Sequence, residues 1–319
     1  MDINDVKKVA LFGAGTMGPG LAQVFAAAGY KVAMCDLSKE ALDTALTVIR
    51  SNLNTFVERK LLSAEIADRA QKNIAPTQSL EDAGRDADVV IEAIIEKKDA
   101  KRELYERLNR VCPDRTVFMS NTSYLNIFDV MSQERQPNTV IAHWFAPPHI
   151  IPLVEVVRGP ETSQATVDFA VELLKKVDRV PAVMEKFVPG FCINRLLRII
   201  GREVFFLLDN GYMSPEELDL AVKASIIPRA MVLGVVQRYD FTGLDLSARN
   251  LENTEYLEPP IDNAPRSLLD RVNNGDLGVK TGRGFFDYGG RKLEDVLKER
   301  DVALLDVFNN SKHLMYKKI

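Results

Sequence analysis

Val9-Ala-Leu-Phe-Gly-Ala-Gly-Thr-Met-Gly-Pro-Gly20 decides the fold of this chain. An apolar run leads into a glycine-rich turn, and an Ala-rich helix follows it. Gly13 suits the tight turn, Gly15 lets the backbone approach a pyrophosphate, and Gly18 permits close helix–strand packing. Thr16 and Met17 complete the loop. The helix that follows would face the anion with unpaired N–H groups and a favourable dipole. Lys31–Cys35 reads as the next strand, and Asp36 ends it, 21 residues after Gly15. A carboxylate there accepts both hydroxyls of a ribose and repels a 2′-phosphate, so the pattern predicts NAD rather than NADP. A glycine turn without a ligand is the alternative. The ordered succession of strand, glycines, helix, strand and acid favours the dinucleotide.

The bulk properties narrow the class. With 319 residues, 46% of them hydrophobic, the chain is long enough for two domains. Its 41 basic and 45 acidic residues leave a formal charge of −4, so no nucleic-acid partner is expected. Cys35, Cys112 and Cys192 lack metal-site spacing and read as reduced thiols, which with the absence of a signal peptide predicts a cytoplasmic protein. No apolar run reaches membrane-spanning length, so no membrane partner is expected.

Helical and β-rich segments alternate along the first part of the chain. Strands are predicted at Lys8–Phe12, Lys31–Cys35, Asp88–Glu92, Thr116–Ser120, Thr139–His143 and Leu153–Val157, with Arg179–Val183 as a further candidate. Helices are predicted at Gly18–Ala28, Lys39–Val57 and Ser63–Lys72. The alternation predicts an α/β, Rossmann-type, doubly wound domain with a mostly parallel sheet. After Pro189-Gly190 the pattern turns helical. Phe191–Asn210 carries a broad apolar face, and Ser214-Pro-Glu-Glu217 is a strong helix opening. We therefore expect a nucleotide-binding domain over 1–188 and an all-helical substrate-binding domain over 189–319.

Few groups are suited to proton transfer. His143 ends one predicted strand and Glu155 lies within another. A carboxylate in an apolar strand is costly unless hydrogen-bonded. If the strands are neighbours, Glu155 fixes the tautomer of His143, which then serves as a general base. The alternative is an edge strand with Glu155 in solvent and His143 merely packed. Ser120-Asn-Thr-Ser123 follows another strand; its hydroxyls either hold a substrate oxygen or cap a helix. Asn194 either donates into the cleft or serves the helix start. Glu96 either approaches the cofactor or belongs to a surface row with Lys97, Lys98 and Asp99. His149 reads as an exposed loop residue by default.

Together these segments resemble the L-3-hydroxyacyl-CoA dehydrogenase family over nearly the whole chain. The resemblance rests on the opening glycine loop, Val89-Val-Ile-Glu-Ala93 with Glu96, Ser120–Ser123, and the spacing of His143 and Glu155. Pro189-Gly-Phe191 through Asn194-Arg195, Phe241-Thr-Gly-Leu-Asp245 and Lys280–Tyr288 continue it. It implies His143 and Glu155 as the catalytic pair, with Ser123 and Asn194 positioning the substrate oxygen. It also implies Glu96 and Asn121 as cofactor contacts beside the loop residues, a β-hydroxy substrate, a place in fatty acid metabolism, and a homodimer joined through the helical domains.

Three departures bear on the substrate. The family's His-Phe-Phe-Asn-Pro segment is His143-Trp-Phe-Ala-Pro147 here, so Trp144 and Ala146 stand at positions expected to shape the substrate site. A lysine-rich turn is replaced by Glu58-Arg-Lys-Leu-Leu62. Ile227-Pro-Arg-Ala-Met231 replaces His-Pro-Met-Gly-Pro, and Arg229 would suit a free carboxylate. The stretch Pro147–Glu155 also resembles the gulonate and carnitine dehydrogenase branch. A short-chain acyl-CoA alcohol and a free β-hydroxy acid both remain open, and a non-catalytic NAD-binding protein is the rival of another class.

Overall fold

The computed structural model describes residues 2–255 and 257–317. Eight strands form one sheet: β1 (Lys8–Phe12), β2 (Lys31–Cys35), β3 (Ile74–Thr77), β4 (Val89–Glu92), β5 (Val117–Ser120), β6 (Thr139–Trp144), β7 (Leu153–Arg158) and β8 (Val180–Met184). Their spatial order is β3-β2-β1-β4-β5-β6-β7-β8. Every neighbouring pair is parallel except β6–β7, which is antiparallel. The chain therefore runs outward from β1 in one direction and returns through β4 in the other. The crevice beyond the carboxyl ends of β1 and β4 is the topological switch point at which doubly wound sheets bind ligands.

Both sheet faces are covered, as a largely parallel sheet requires. The pleat assigns each residue to a face. Val9 and Leu11 of β1 join one core, while Ala10 and Phe12 join the other. The first core packs under α1 (Gly18–Ala27), α2 (Lys39–Glu58), α3 (Ala64–Asn73) and α6 (Gln164–Lys176). The second packs under α4 (Leu80–Gly84) and α5 (Lys98–Val111). Ser38, Ser63, Ser79 and Ser163 cap four of these helices by accepting from Ala41, Ile66, Asp82 and Thr166 amides. Each such cap contributes about 1 kcal/mol.

Four elements of this half escaped the sequence pattern, α6 among them. Edge strand β3 carries Pro76 and lacks an alternating apolar face. Helix α4 is a single short turn, and α5 is so rich in charge that its buried stripe of Lys101, Tyr105 and Leu108 is masked. Cys35 and Cys112 are buried free thiols pushed up to about 11 by burial, whereas Cys192 is exposed.

Contacts divide the chain into Met1–Ile193 and Asn194–Ile319. The division falls a few residues beyond 188 because Cys192 and Ile193 are tied by their amides to Glu155 in β7. The second unit takes up most of α7 (Ile193–Asp209), then α8 (Pro215–Ala221), α9 (Ile227–Thr242), α10 (Leu244–Leu251), α11 (Arg266–Asn273) and α12 (Leu293–Ser311). Ser214 caps α8 with Pro215 in its first turn, the opening the sequence predicts. Helix α9 is broken at Gly234, whose φ of 70° no helix interior accommodates.

Candidate active site

The glycine loop shows what each position is for. Gly13 has a φ of 106°, and a Cβ there would stand 2.4 Å from the Ala93 carbonyl oxygen. A Cβ on Gly18 would stand 2.2 Å from the Gly13 oxygen, so its close approach is to the loop backbone rather than to a strand. Nothing lies within 4 Å of a Cβ built on Gly15, the open backbone that a pyrophosphate needs. Thr16 is exposed, and Met17 leans on the core at the start of α1.

A cavity of about 350 Å³ lies at the switch point, with Gly13, Gly15 and Asp36 in its wall together with Gln78, Glu103 and Arg107. Asp36 Oδ2 accepts from the Ala14 amide at 2.7 Å and Oδ1 from the Ser38 amide at 2.9 Å. Its carboxylate is thereby held at the cavity wall, with lone pairs left for a diol. These residues fit the adenosine half of a dinucleotide. Gln78, Glu103 and Arg107 carried no signal in sequence, because they come from the loop after β3 and from α5.

His143 and Glu155 stand directly opposite each other in the β6–β7 ladder. Alternation turns both onto the face occupied by Phe191, and turns Trp144 onto the other. His143 Nδ1 lies 2.8 Å from Glu155 Oε2, and the two side chains are 5% and 1% exposed. The edge-strand alternative, with Glu155 in solvent, is thereby excluded. Because a carboxylate only accepts, the contact assigns the proton to Nδ1 and leaves Nε2 of the neutral ring as an acceptor. Glu155 Oε1 takes the amides of Cys192 and Ile193 at 2.9 and 2.8 Å. Both oxygens of this buried carboxylate are therefore satisfied, as burial demands.

Phe145 and Phe191 flank the imidazole at ring-centroid distances of 4.6 and 5.3 Å. Phe191 is fully buried at a φ of 50°. A left-handed conformation at a side-chain-bearing residue costs on the order of 1 kcal/mol. It places the ring on His143 and delivers the next two amides to Glu155.

A second buried cluster underlies the Ser120–Ser123 turn. Glu92 ends β4 beside Ser120 in the ladder. It accepts from Lys101 Nζ at 2.6 Å, Tyr105 Oη at 2.8 Å, Ser120 Oγ at 2.6 Å and the Ile94 amide at 2.9 Å. Burial, and next the Glu92 charge, push the Tyr105 hydroxyl well up. Lys101 reaches Glu96 Oε2 at 3.2 Å. Glu96 Oε1 accepts from Thr122 Oγ1 at 2.5 Å and from the Ser123 amide at 2.8 Å. Burial raises the Glu96 carboxyl, but the Thr122 hydroxyl, the Lys101 charge and the Ser123 amide outweigh it and hold it below the usual range. Glu96 is thus tied to the serine turn and is not part of an exposed charge row. Lys101 left one signal in the sequence: a lysine four residues before Tyr105 and seven before Leu108, on the buried stripe.

The remaining sequence candidates are distributed differently. Asn121 Oδ1 accepts from the Trp144 amide at 2.8 Å. The Trp144 ring is 2% exposed and packs on Phe25, so it braces the core under α1 instead of facing the His143 side. Ala146 is exposed in the loop after β6. His149 is buried against Phe56, which corrects its reading as an exposed loop residue. The close packing of Pro148 and His149 over Gly20 buries it. Asn194 and Arg229 belong to the second unit. The Arg229 guanidinium is exposed and bonds one turn back to the Ser225 carbonyl and hydroxyl. Among the described residues no group of acids, histidines and cysteines is suited to a metal, and no helix is long and apolar enough to cross a membrane.

Comparison with known proteins accords with this geometry. Residues 8–187 match the 3-hydroxyacyl-CoA dehydrogenase NAD binding domain, and residues 190–288 match the C-terminal domain of the same family. A 3-hydroxybutyryl-CoA dehydrogenase of Bradyrhizobium diazoefficiens is 32% identical over 90% of this chain and 97% of its own. The crystal structure of 5-formyl-3-hydroxy-2-methylpyridine 4-carboxylic acid 5-dehydrogenase, an NAD+ dependent dismutase, aligns with a TM-score of 0.85 at 29% identity, covering 96% of this chain and 99% of that one. The (S)-3-hydroxybutyryl-CoA dehydrogenase PaaH1 from Ralstonia eutropha aligns with a TM-score of 0.71 at 30% identity, covering 89% and 100%. The dinucleotide loop, the paired His143 and Glu155, and the two matched domains together make this chain an NAD-dependent oxidoreductase of the 3-hydroxyacyl-CoA dehydrogenase family.

Proposed function

We propose that the protein interconverts a short-chain L-3-hydroxyacyl-CoA and its 3-oxoacyl-CoA, with His143 as the general base. The observation that carries this reading is the bond from His143 Nδ1 to a fully satisfied Glu155, which leaves Nε2 to take a proton. Bound NAD supplies the acceptor for the hydride that leaves the carbinol carbon. Gly13, Gly15, Thr16, Met17, Gly18 and Asp36 would hold it. Nε2 removes the hydroxyl proton, and Glu155 stabilises the imidazolium that results. In the reverse direction the imidazolium returns that proton to the oxygen. Ser123, in the turn after β5, positions the substrate oxygen.

A second reading has its own support. The structure of the pyridine-carboxylate dehydrogenase superposes with a TM-score of 0.85, against 0.71 for PaaH1. With Ala146 and Arg229 standing where the family carries other residues, a small free acid is the second substrate class, and Arg229 is its candidate partner. Purified protein incubated with NAD and with parallel panels of 3-hydroxyacyl-CoAs and free β-hydroxy acids decides the matter by NADH absorbance. Turnover of CoA esters alone removes the free-acid reading, and the converse removes the CoA reading. Failure of both panels removes both substrate readings and supports the non-catalytic NAD-binding alternative.

The reading includes a cytoplasmic homodimer acting in fatty acid metabolism. Free thiols at all three cysteines support a reducing compartment. The exposed apolar faces of α7 and α9, with Ile199 at 61% and Val236 at 77%, support association through the helical unit.

A further inference from the structure

We infer that Asn121 is a positioning residue whose side-chain oxygen fixes the end of β6, and with it His143, against the Ser120–Ser123 turn. The inference rests on the reading of His143 as the base. The β5–β6 ladder stops at Ser120 and Ile141. Strand β6 runs on through Ala142, His143 and Trp144, whose ladder partners lie in β7. On the β5 side the Asn121 amide oxygen takes over: it accepts the Trp144 N–H at 2.8 Å, one residue past His143.

The anchor itself is stiff. The Asn121 backbone amide donates to the Glu92 carbonyl at 2.7 Å. The next residue, Thr122, is held by Ser120 Oγ at 3.2 Å and by Glu96 at 2.5 Å. Ser123 follows in the same turn, its amide on Glu96. A rigid turn that carries Ser123 is therefore coupled through one side-chain oxygen to the strand end that carries His143. Without that oxygen the strand end pivots on β7 alone, and the base moves relative to the serine.

The Oδ1 acceptor is what this role requires; a contact from Asn121 to cofactor would instead use its Nδ2 donors. Asn121→Asp keeps the first and abolishes the second, whereas Asn121→Ala removes both. The test compares the three proteins by kcat, by NAD affinity from direct titration, and by hydrogen exchange at the Trp144 amide. In Asn121→Ala we expect kcat to fall about 10²-fold, the loss produced by a displacement of about 1 Å at a reacting group. Protection at Trp144 should be lost, and NAD affinity reports separately on any cofactor contact made by Nδ2. Asn121→Asp should restore both protection and most of the turnover. An unchanged kcat in Asn121→Ala overturns the inference, as does equal loss of NAD affinity in both variants with Trp144 still protected. If the wild-type protein turns over neither substrate panel, both substrate readings have failed, while exchange at Trp144 still decides whether Asn121 holds the strand.

Discussion

The two units differ in how they dispose of apolar surface. Met1–Ile193 encloses two cores on the faces of its sheet, and even its acids are buried with partners: Glu92 and Glu155 are each 1% exposed. In Asn194–Ile319, Leu305 is the one large apolar side chain buried among the described residues, and Leu251 and Val236 stand 90% and 77% exposed. Large exposed apolar faces mark association surfaces. The first unit therefore carries the Asp36 cavity and the His143–Glu155 pair on a well-enclosed core, whereas the second leaves large apolar side chains exposed.

The largest effect that tests this contrast is on chemistry. His143→Ala should lower kcat about 10²–10⁴-fold, the range for loss of a general base, while direct NAD titration stays at the wild-type value. A parallel loss of NAD affinity would show that the imidazole supports the fold of the first unit instead. Next comes Glu155→Ala, which strips the acceptor from the His143 ring and from the Cys192 and Ile193 amides together. Leaving a buried donor without its acceptor costs about 1–3 kcal/mol. We expect a lowered unfolding midpoint and faster hydrogen exchange at Cys192 and Ile193. Unchanged exchange at those amides would mean that the junction does not depend on this carboxylate.

These two residues also show how much of the site is legible in the sequence. Strand β1, the glycine turn, α1 and β2 are legible almost to the residue, because each is set by local rules: a buried run, a positive-φ turn and an acid at the strand end. The His143–Glu155 bond was readable as a condition, since their spacing makes sense once two strands pair antiparallel. The partners of the other Glu155 oxygen were not readable. They are backbone amides 37 and 38 residues away, and no side-chain identity announces them. Lys101 was hidden by the opposite problem, as one charge among many in an amphipathic helix whose inner face holds an ammonium.

The second unit responds to a different kind of change. Ile199→Asp and Val236→Asp alter side chains that are 61% and 77% exposed, so the fold of a single chain should lose little, within about 0.5 kcal/mol. Sedimentation should nonetheless shift toward the monomer. If assembly survives both charges, the faces of α7 and α9 are not the association surface. NAD affinity, which belongs to the first unit, should be unaffected in either case.

The smallest effect lies at Glu96. Its folded-state carboxyl is held low although burial opposes this, because the Thr122 hydroxyl, Lys101 and the Ser123 amide favour the anion. A group whose pKa is depressed on folding stabilises the protein above its unfolded value, about 4.3 for glutamate, and that stabilisation fades as pH falls through the lower folded value. Glu96→Gln should therefore be less stable than wild type at neutral pH, by on the order of 1 kcal/mol. The gap should close on acidification below about pH 4.3. Paired chemical denaturation curves at neutral and acid pH measure it. Parallel acid limbs for the two proteins would show that the Ser123 turn is held by the shape of the Glu96 side chain and not by its charge, and would remove the electrostatic half of the contrast between the two units.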